Sequence, residues 1–315
     1  MIHIFNLTMA QKPCQDALMN RLVAFTLLAL LAACGEGGSG AAVIPGGGGG
    51  PTPTPAPVST ATAGPLPTDV RYWIMQGQAG NSMANDPVGK TYFAQAKHEV
   101  LVSSDVIPPS GWNTIVFATY TSFSGFQTAL NNGSVPSDVT AVLYDNEEEP
   151  GWTATPADEQ ADPTGFMQRF ASLARGAGYL VIGTHAGGGS SEKDIDAGMA
   201  PWCNFFGIQT QSNEILAPAP NNYVGYTKLL AAAIQGASPN TVIIGGITTA
   251  VQGTLATPSQ IDQAITATAN TPLLGYWLNI PTQSTFDPNG PPPSEYSTEV
   301  QNASQALQAL PSPAP

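Results

Sequence analysis

Thr140-Ala141-Val142-Leu143-Tyr144-Asp145-Asn146-Glu147-Glu148-Glu149-Pro150 decides how the rest of the chain is read. An apolar run short enough to be a buried strand ends abruptly in carboxylates. In parallel α/β proteins the carboxyl ends of the strands are where chemistry is built. Side chains two apart on a strand share a face, so Asp145 and Glu147 point the same way. The pattern predicts a core strand that delivers two acids to one place.

Outward from that run, short apolar runs alternate with amphipathic segments. Predicted strands begin at Arg71, Glu99, Thr114, Thr140, Tyr179, Asn213 (Asn213-Glu214-Ile215-Leu216-Ala217), Thr241 and Leu273. They are rich in β-branched and aromatic residues and bounded by Gly, Pro, Asn or Ser. Phe166, Phe170 and Leu173 keep helical spacing behind Asp162-Pro163, an N-cap followed by a proline suited to the first helical position. Ile261 and Ile265 follow Thr257-Pro258 in the same way, and Tyr226, Leu229, Leu230 and Ala233 mark another helix. Tyr296, Val300 and Leu307 mark the last one. Strand and helix in alternation imply a parallel sheet with right-handed crossovers. Eight strands in roughly 245 residues is the size of a (β/α)8 TIM barrel. A doubly wound open α/β sheet is the alternative. One junction is short: about ten residues separate the second and third runs, too few for a helical crossover.

The chain has 315 residues and a formal charge of −13. Without a basic patch, nucleic acid is excluded as a partner, and so is attraction to anionic headgroups. Few charges beside many Thr, Ser, Asn and Gln suit a neutral polar ligand. Cys14, Cys34 and Cys203 form no metal or redox spacing, and His3, His98 and His185 form no paired motif. No metal or cofactor is expected, and the domain is read as a monomer.

The amino-terminal region reads as an address. Met19-Asn20-Arg21 precedes the apolar run Leu22 to Leu30, too short to span a bilayer, and Leu31-Ala32-Ala33-Cys34-Gly35 follows. This resembles the bacterial lipoprotein signal, whose cysteine becomes the lipidated amino terminus. The resemblance implies lipidation at Cys34 and attachment to the bacterial envelope, with the domain outside the cytoplasm and membrane contact only through the lipid. Residues 1–34 are read as signal, with Met19 a possible start. Residues 35–68 form a Gly/Pro/Thr-rich disordered linker, and residues 69–315 the α/β barrel domain.

If the fold is a barrel, its mouth collects strand ends. The candidates are Gln76 and Gln78 from the first strand, Tyr120 from the third, Asp145 and Glu147 from the fourth, His185 from the fifth, and Trp277 and Asn279 from the eighth. Amides and carboxylates hydrogen-bond hydroxyls, and aromatic faces stack on sugars, so a carbohydrate ligand is expected. Asp145-x-Glu147 with Trp277 on the last strand resembles the barrel glycosidases of the family 18 chitinase type. There the Glu protonates the leaving oxygen, the preceding Asp positions the substrate amide and the Trp floors the subsite. By resemblance Glu147 is the acid, Asp145 its helper and Trp277 the floor. Leu143 stands where that family has its first Asp. Asn146-Glu147 is also similar to the Asn-Glu-Pro of a second glycosidase clan, with Glu148 in place of the Pro. That clan's seventh-strand nucleophile has no counterpart in Gly245-Gly246-Ile247-Thr248-Thr249. The alternative function is a non-catalytic carbohydrate-binding or structural surface protein on the same scaffold. Trp152, Gly187-Gly188-Gly189 and Cys203 are read as a rim or lid residue, a flexible loop and a buried thiol.

Overall fold

The computed structural model describes residues 66–147, 155–186, 191–211, 220–251, 253–281 and 290–310. The signal, Cys34, nearly all of the linker, Glu148, Glu149, Trp152, the triple glycine and the strand predicted at Asn213 lie outside them.

Eight parallel strands close into a barrel: β1 (Arg71–Met75), β2 (His98–Ser103), β3 (Thr114–Tyr120), β4 (Ala141–Glu147), β5 (Leu180–Ala186), β6 (Phe205–Ile208), β7 (Val242–Thr248) and β8 (Leu273–Asn279). Each pairs with its sequence neighbours, and β8 pairs with β1 through Tyr72–Gly275 and Ile74–Trp277. The open-sheet alternative is thereby excluded. The predicted sixth strand is corrected: Phe205–Ile208 fills that place, pairing with β5 and β7. A four-residue strand containing Gly207 is too short to show an alternation.

Alternate residues divide two cores. Tyr72, Ile74, Phe117, Leu143, Ile244 and Trp277 fill the interior. The intervening residues face an outer layer of helices. Fully burying one such side chain stabilises the fold by about 1.5–3 kcal/mol. Across the barrel Tyr72 meets Phe205 edge to face, 5.3 Å between centroids.

The outer layer is uneven. Two helices, α1 (Gly77–Asn85) and α2 (Pro87–Phe93), lie between β1 and β2. Among the described residues no helix separates β2 from β3. Instead Trp112 packs edge-on against Phe93 at 5.2 Å and joins Val106 over the outer core, so an indole covers the face a helix covers elsewhere. Then come α3 (Phe123–Asn131), α4 (Ala157–Ala161) and α5 (Pro163–Gly176), with Asp162 capping Gly165 N as its sequence predicts. Next are α6 (Glu192–Met199), α7 (Pro220–Ala237), α8 (Pro258–Thr268) and α9 (Tyr296–Ala309). Thr257 and Gln260 form a reciprocal capping box at α8. Among the described residues, no helix is long and apolar enough to cross a membrane.

Leu66 and Val70 pack against the interior cluster, and Pro67 O accepts a hydrogen bond from Tyr72 Oη at 2.8 Å. Tyr72 is fully buried. The amino terminus of the described chain thus forms part of the barrel.

Candidate functional site

Register carries the acids to the mouth. Ala141 and Leu143 belong to the interior cluster, so Asp145 and Glu147, two and four residues beyond Leu143, face inward at the carboxyl end of β4. Both are buried, and their side chains hydrogen-bond each other. Two carboxyl groups can share such a bond only if one carries a proton. Burial pushes Asp145 up from the ordinary range to about 6, because desolvation penalises the charged form. Its Oδ1 has no partner among the described residues.

Neighbouring loops fix the strand end. Glu147 N donates to Thr155 Oγ1 at 3.3 Å, and Thr155 Oγ1 donates to Asp145 O at 3.3 Å. Gln160 Nε2 donates to Glu147 O at 3.1 Å. On the outer face Asn146 Nδ2 reaches Tyr144 Oη and Glu159 O, both at 3.1 Å, while Tyr144 Oη donates to the Glu159 carboxylate. Glu159 therefore anchors α4 to β4 and stands apart from the mouth.

Gln209 is the site residue the sequence reading missed. It follows β6, and its Nε2 donates to Glu147 Oε1 at 3.0 Å, reaching across β5. With Phe205 and Gly207 recognised as inward positions, Gln209 follows by the same period of two.

Trp277 belongs to the barrel interior. Gly246 is its register partner, and a Cβ on Gly207 would stand 2.9 Å from Trp277 Cε3. Gly207 leaves the room in which the indole extends from β8 towards β6. Trp277 is 5% exposed, and its Nε1 is a buried donor without a partner among the described residues. Asn279 shares its face, half-buried at the rim. Gln76 donates to Thr119 Oγ1 at 3.1 Å, linking the ends of β1 and β3.

Three predicted ligand-binding residues are not brought there. His185 follows Val181 and Gly183 on the outer face of β5; it is fully buried, with Nδ1 3.6 Å from Asp196 Oδ1 on α6. Burial also pushes Asp196 up to about 6, partly offset by His185. Tyr120 packs outward on Phe126 and Phe170, at 5.0 and 6.5 Å. Gln78 lies in α1, where its carbonyl accepts from Tyr296 Oη. His185 and Tyr120 occupy the outward positions of the period of two, and at Gln78 the strand has already given way to α1.

Cys203 is a buried free thiol whose ionisation burial pushes far up. Among the described residues, no group of three or more His, Cys, Asp or Glu could hold a metal ion.

No protein-family model matches the sequence, and no curated protein matches it. Solved structures similar to it include a multifunctional pyruvate carboxylase from Rhizobium etli, with 9% identity and a TM-score of 0.41, over 79% of this chain and 29% of that one. An HpcH/HpaI aldolase from Desulfitobacterium hafniense DCB-2 shares 9% identity at a TM-score of 0.39, over 79% of this chain and 96% of that one. A psychrophilic glycoside hydrolase family 10 endo-β-1,4-xylanase shares 11% identity at 0.38, over 73% and 96%. Likeness at these identities says nothing about activity.

Proposed function

We propose that this is a lipid-anchored, glycoside-hydrolase-like barrel of the bacterial envelope that takes carbohydrate at its mouth, with Glu147 as proton donor and Asp145 as helper. One observation carries the reading: an inward, buried pair of hydrogen-bonded carboxyl groups at the end of β4, in a barrel whose interior also holds an indole with an unpartnered donor. Burial that raises Asp145, the hydrogen-bond partner of Glu147, lets the pair keep a proton at the end of β4, which protonation of a glycosidic oxygen requires. Gln76, Gln209 and Asn279 supply amides suited to hydroxyl groups.

The separation of the acids bears on mechanism. Cleavage by two protein carboxylates uses groups about 5 Å apart or more. A hydrogen-bonded pair is closer than that and works as a single acid. The reading therefore assigns the second catalytic role to a group on the substrate, as in substrate-assisted glycosidases. The proton passes through Glu147 to the leaving oxygen as the glycosidic C–O bond breaks and a substrate group attacks the anomeric carbon. Water then opens the resulting cyclic intermediate and returns a proton to the pair.

A second reading, a carbohydrate-binding surface protein without turnover, is favoured by the apolar Leu143 and by a β7 end that carries no carboxylate. A glycan array and a panel of chromogenic glycosides on residues 66–315 separate the two. Turnover that disappears in Glu147→Gln supports the enzyme. Binding without turnover supports the second reading, and turnover that survives Glu147→Gln rejects the site.

A further inference from the structure

The mouth contains a hydrogen-bonded relay that the proposed chemistry does not by itself require. Gln211 Nε2 donates to Gln209 Oε1, and Gln209 Nε2 donates to Glu147 Oε1 at 3.0 Å. Gln211 occupies the space that Gly246 leaves: a Cβ there would lie 2.2 Å from its Oε1 and 3.1 Å from Ile208 O, so a larger residue on β7 would displace this amide. The relay thus runs from the end of β6 over β5 to β4, and both amides are part-buried.

We infer that Gln209 is a positioning residue for the carboxyl pair, holding Glu147 Oε1 as a proton-free acceptor so that the single shared proton lies between Asp145 and Glu147. An amide N–H can only donate, and a protonated oxygen facing it would set donor against donor. Hydrogen bonds donated to a carboxylate favour its ionised form, so the relay opposes protonation of both acids together. Among the described residues no donor reaches Asp145 Oδ1. The pair is therefore asymmetric: Glu147 is held by an amide, and Asp145 has one oxygen without such a donor.

Among the described residues, the other charged groups near the strand ends are held elsewhere. On β5, His185 is directed outward to Asp196 of α6. Glu159 of α4 is held on the outer side of β4 by Tyr144 Oη and Phe123 N. Asp105, after β2, is held by Ser103. The ends of β6, β7 and β8 contribute the uncharged Gln209, Thr248 and Asn279. From β6 the amide relay reaches Glu147 directly.

This inference rests on the pair being the working acid, but its test needs no carbohydrate. Carboxyl carbon NMR of the ligand-free protein resolves the two macroscopic titration steps of a coupled pair. In Gln209→Leu the lower step, entry into the singly protonated state, is expected to rise by about one pH unit, while the upper step moves less. Gln211→Leu, which leaves Gln209 in place without the donor that orients it, is expected to shift the lower step in the same direction by a smaller amount. Gln209→Met provides the near-isosteric version if Leu disturbs folding. Steps that stay within about 0.2 pH units of wild type in any folded variant lacking the Gln209 amide would overturn the inference. Absence of glycan binding in wild type, with the titration shifted as described, would reject the carbohydrate reading and leave the relay standing.

Discussion

Asp145 gains a reactive carboxyl at a cost in stability. Its acidity is moved from 3.8 to about 6 by burial, so the folded chain binds that proton more tightly than the unfolded chain. Its contribution is therefore favourable at low pH and is lost as pH rises from about 4 through 6; two units correspond to on the order of 2–3 kcal/mol. Asp145→Asn should raise the melting temperature at pH 7.5, flatten stability between pH 4 and 6, and reduce turnover. Thermal melts at pH 4, 5.5 and 7.5 check this, and an unchanged slope would show that Asp145 does not titrate there. Gly207 makes the complementary case. A methyl group 2.9 Å from Trp277 Cε3 must displace the indole. Gly207→Ala should cost about 1–3 kcal/mol by overpacking and should weaken glycan binding together with stability. Denaturant unfolding beside a binding isotherm separates the two effects.

Between elements, α9 bears on the mouth through one buried acid. Glu299 accepts a hydrogen bond from Thr249 Oγ1 at 2.6 Å, and Thr249 N donates to Asn279 O at 3.0 Å. A single threonine thus ties the last helix to the carboxyl ends of β7 and β8, where Asn279 stands. Burial raises Glu299 from 4.5 to about 7, with nearby Glu295 adding to the rise and Thr249 opposing it. Its contribution is then present at low pH and lost between about 4.5 and 7. Glu299→Gln keeps an acceptor for Thr249 and removes the titration. It should flatten the wild-type decline in melting temperature above pH 5, whereas Glu299→Leu should orphan Thr249 and lower it at every pH.

Elements of this kind were unequally legible. Seven strands and the helices opened by Asp162-Pro163 and Thr257-Pro258 follow from local pattern, because β-branched runs and caps act within a few residues. Phe205–Ile208 does not, because burial on both faces gives it no alternation and it is only four residues long. Asp145 and Glu147 were placed by side-chain period. His185 and Tyr120 were placed by strand end alone, and their positions relative to Ile182 and Phe117 turn them outward. Gln209 needed the sixth strand first, and its bond to Glu147 spans 62 residues.

At the scale of the whole chain, the boundary between address and barrel has a physical definition. The linker prediction ends at residue 68, yet Leu66 packs on the interior cluster and Pro67 O is the partner of the fully buried Tyr72 hydroxyl. Removing residues 1–65 should therefore leave stability unchanged. Removing residues 1–69 deletes both contacts. An orphaned buried hydroxyl costs about 1–3 kcal/mol, and loss of the Leu66 packing adds roughly 1 kcal/mol. For a barrel of this size each kcal/mol lowers the melting temperature by about 2–4 °C, so the shorter form should melt roughly 4–16 °C below the form that begins at Leu66. Restoring the hydrogen bond alone cannot recover this, so Tyr72→Phe in the longer form should lose only the hydroxyl share. Equal melting temperatures for the chains beginning at residues 66 and 70 would move the boundary to Arg71. The same pair of truncated chains, expressed beside the full chain and its Cys34→Ser variant, tests the proposed address. Membrane-fraction protein that becomes soluble on Cys34→Ser, with the melting temperature of its barrel unaltered, is the outcome expected if residues 1–65 carry anchorage and none of the fold.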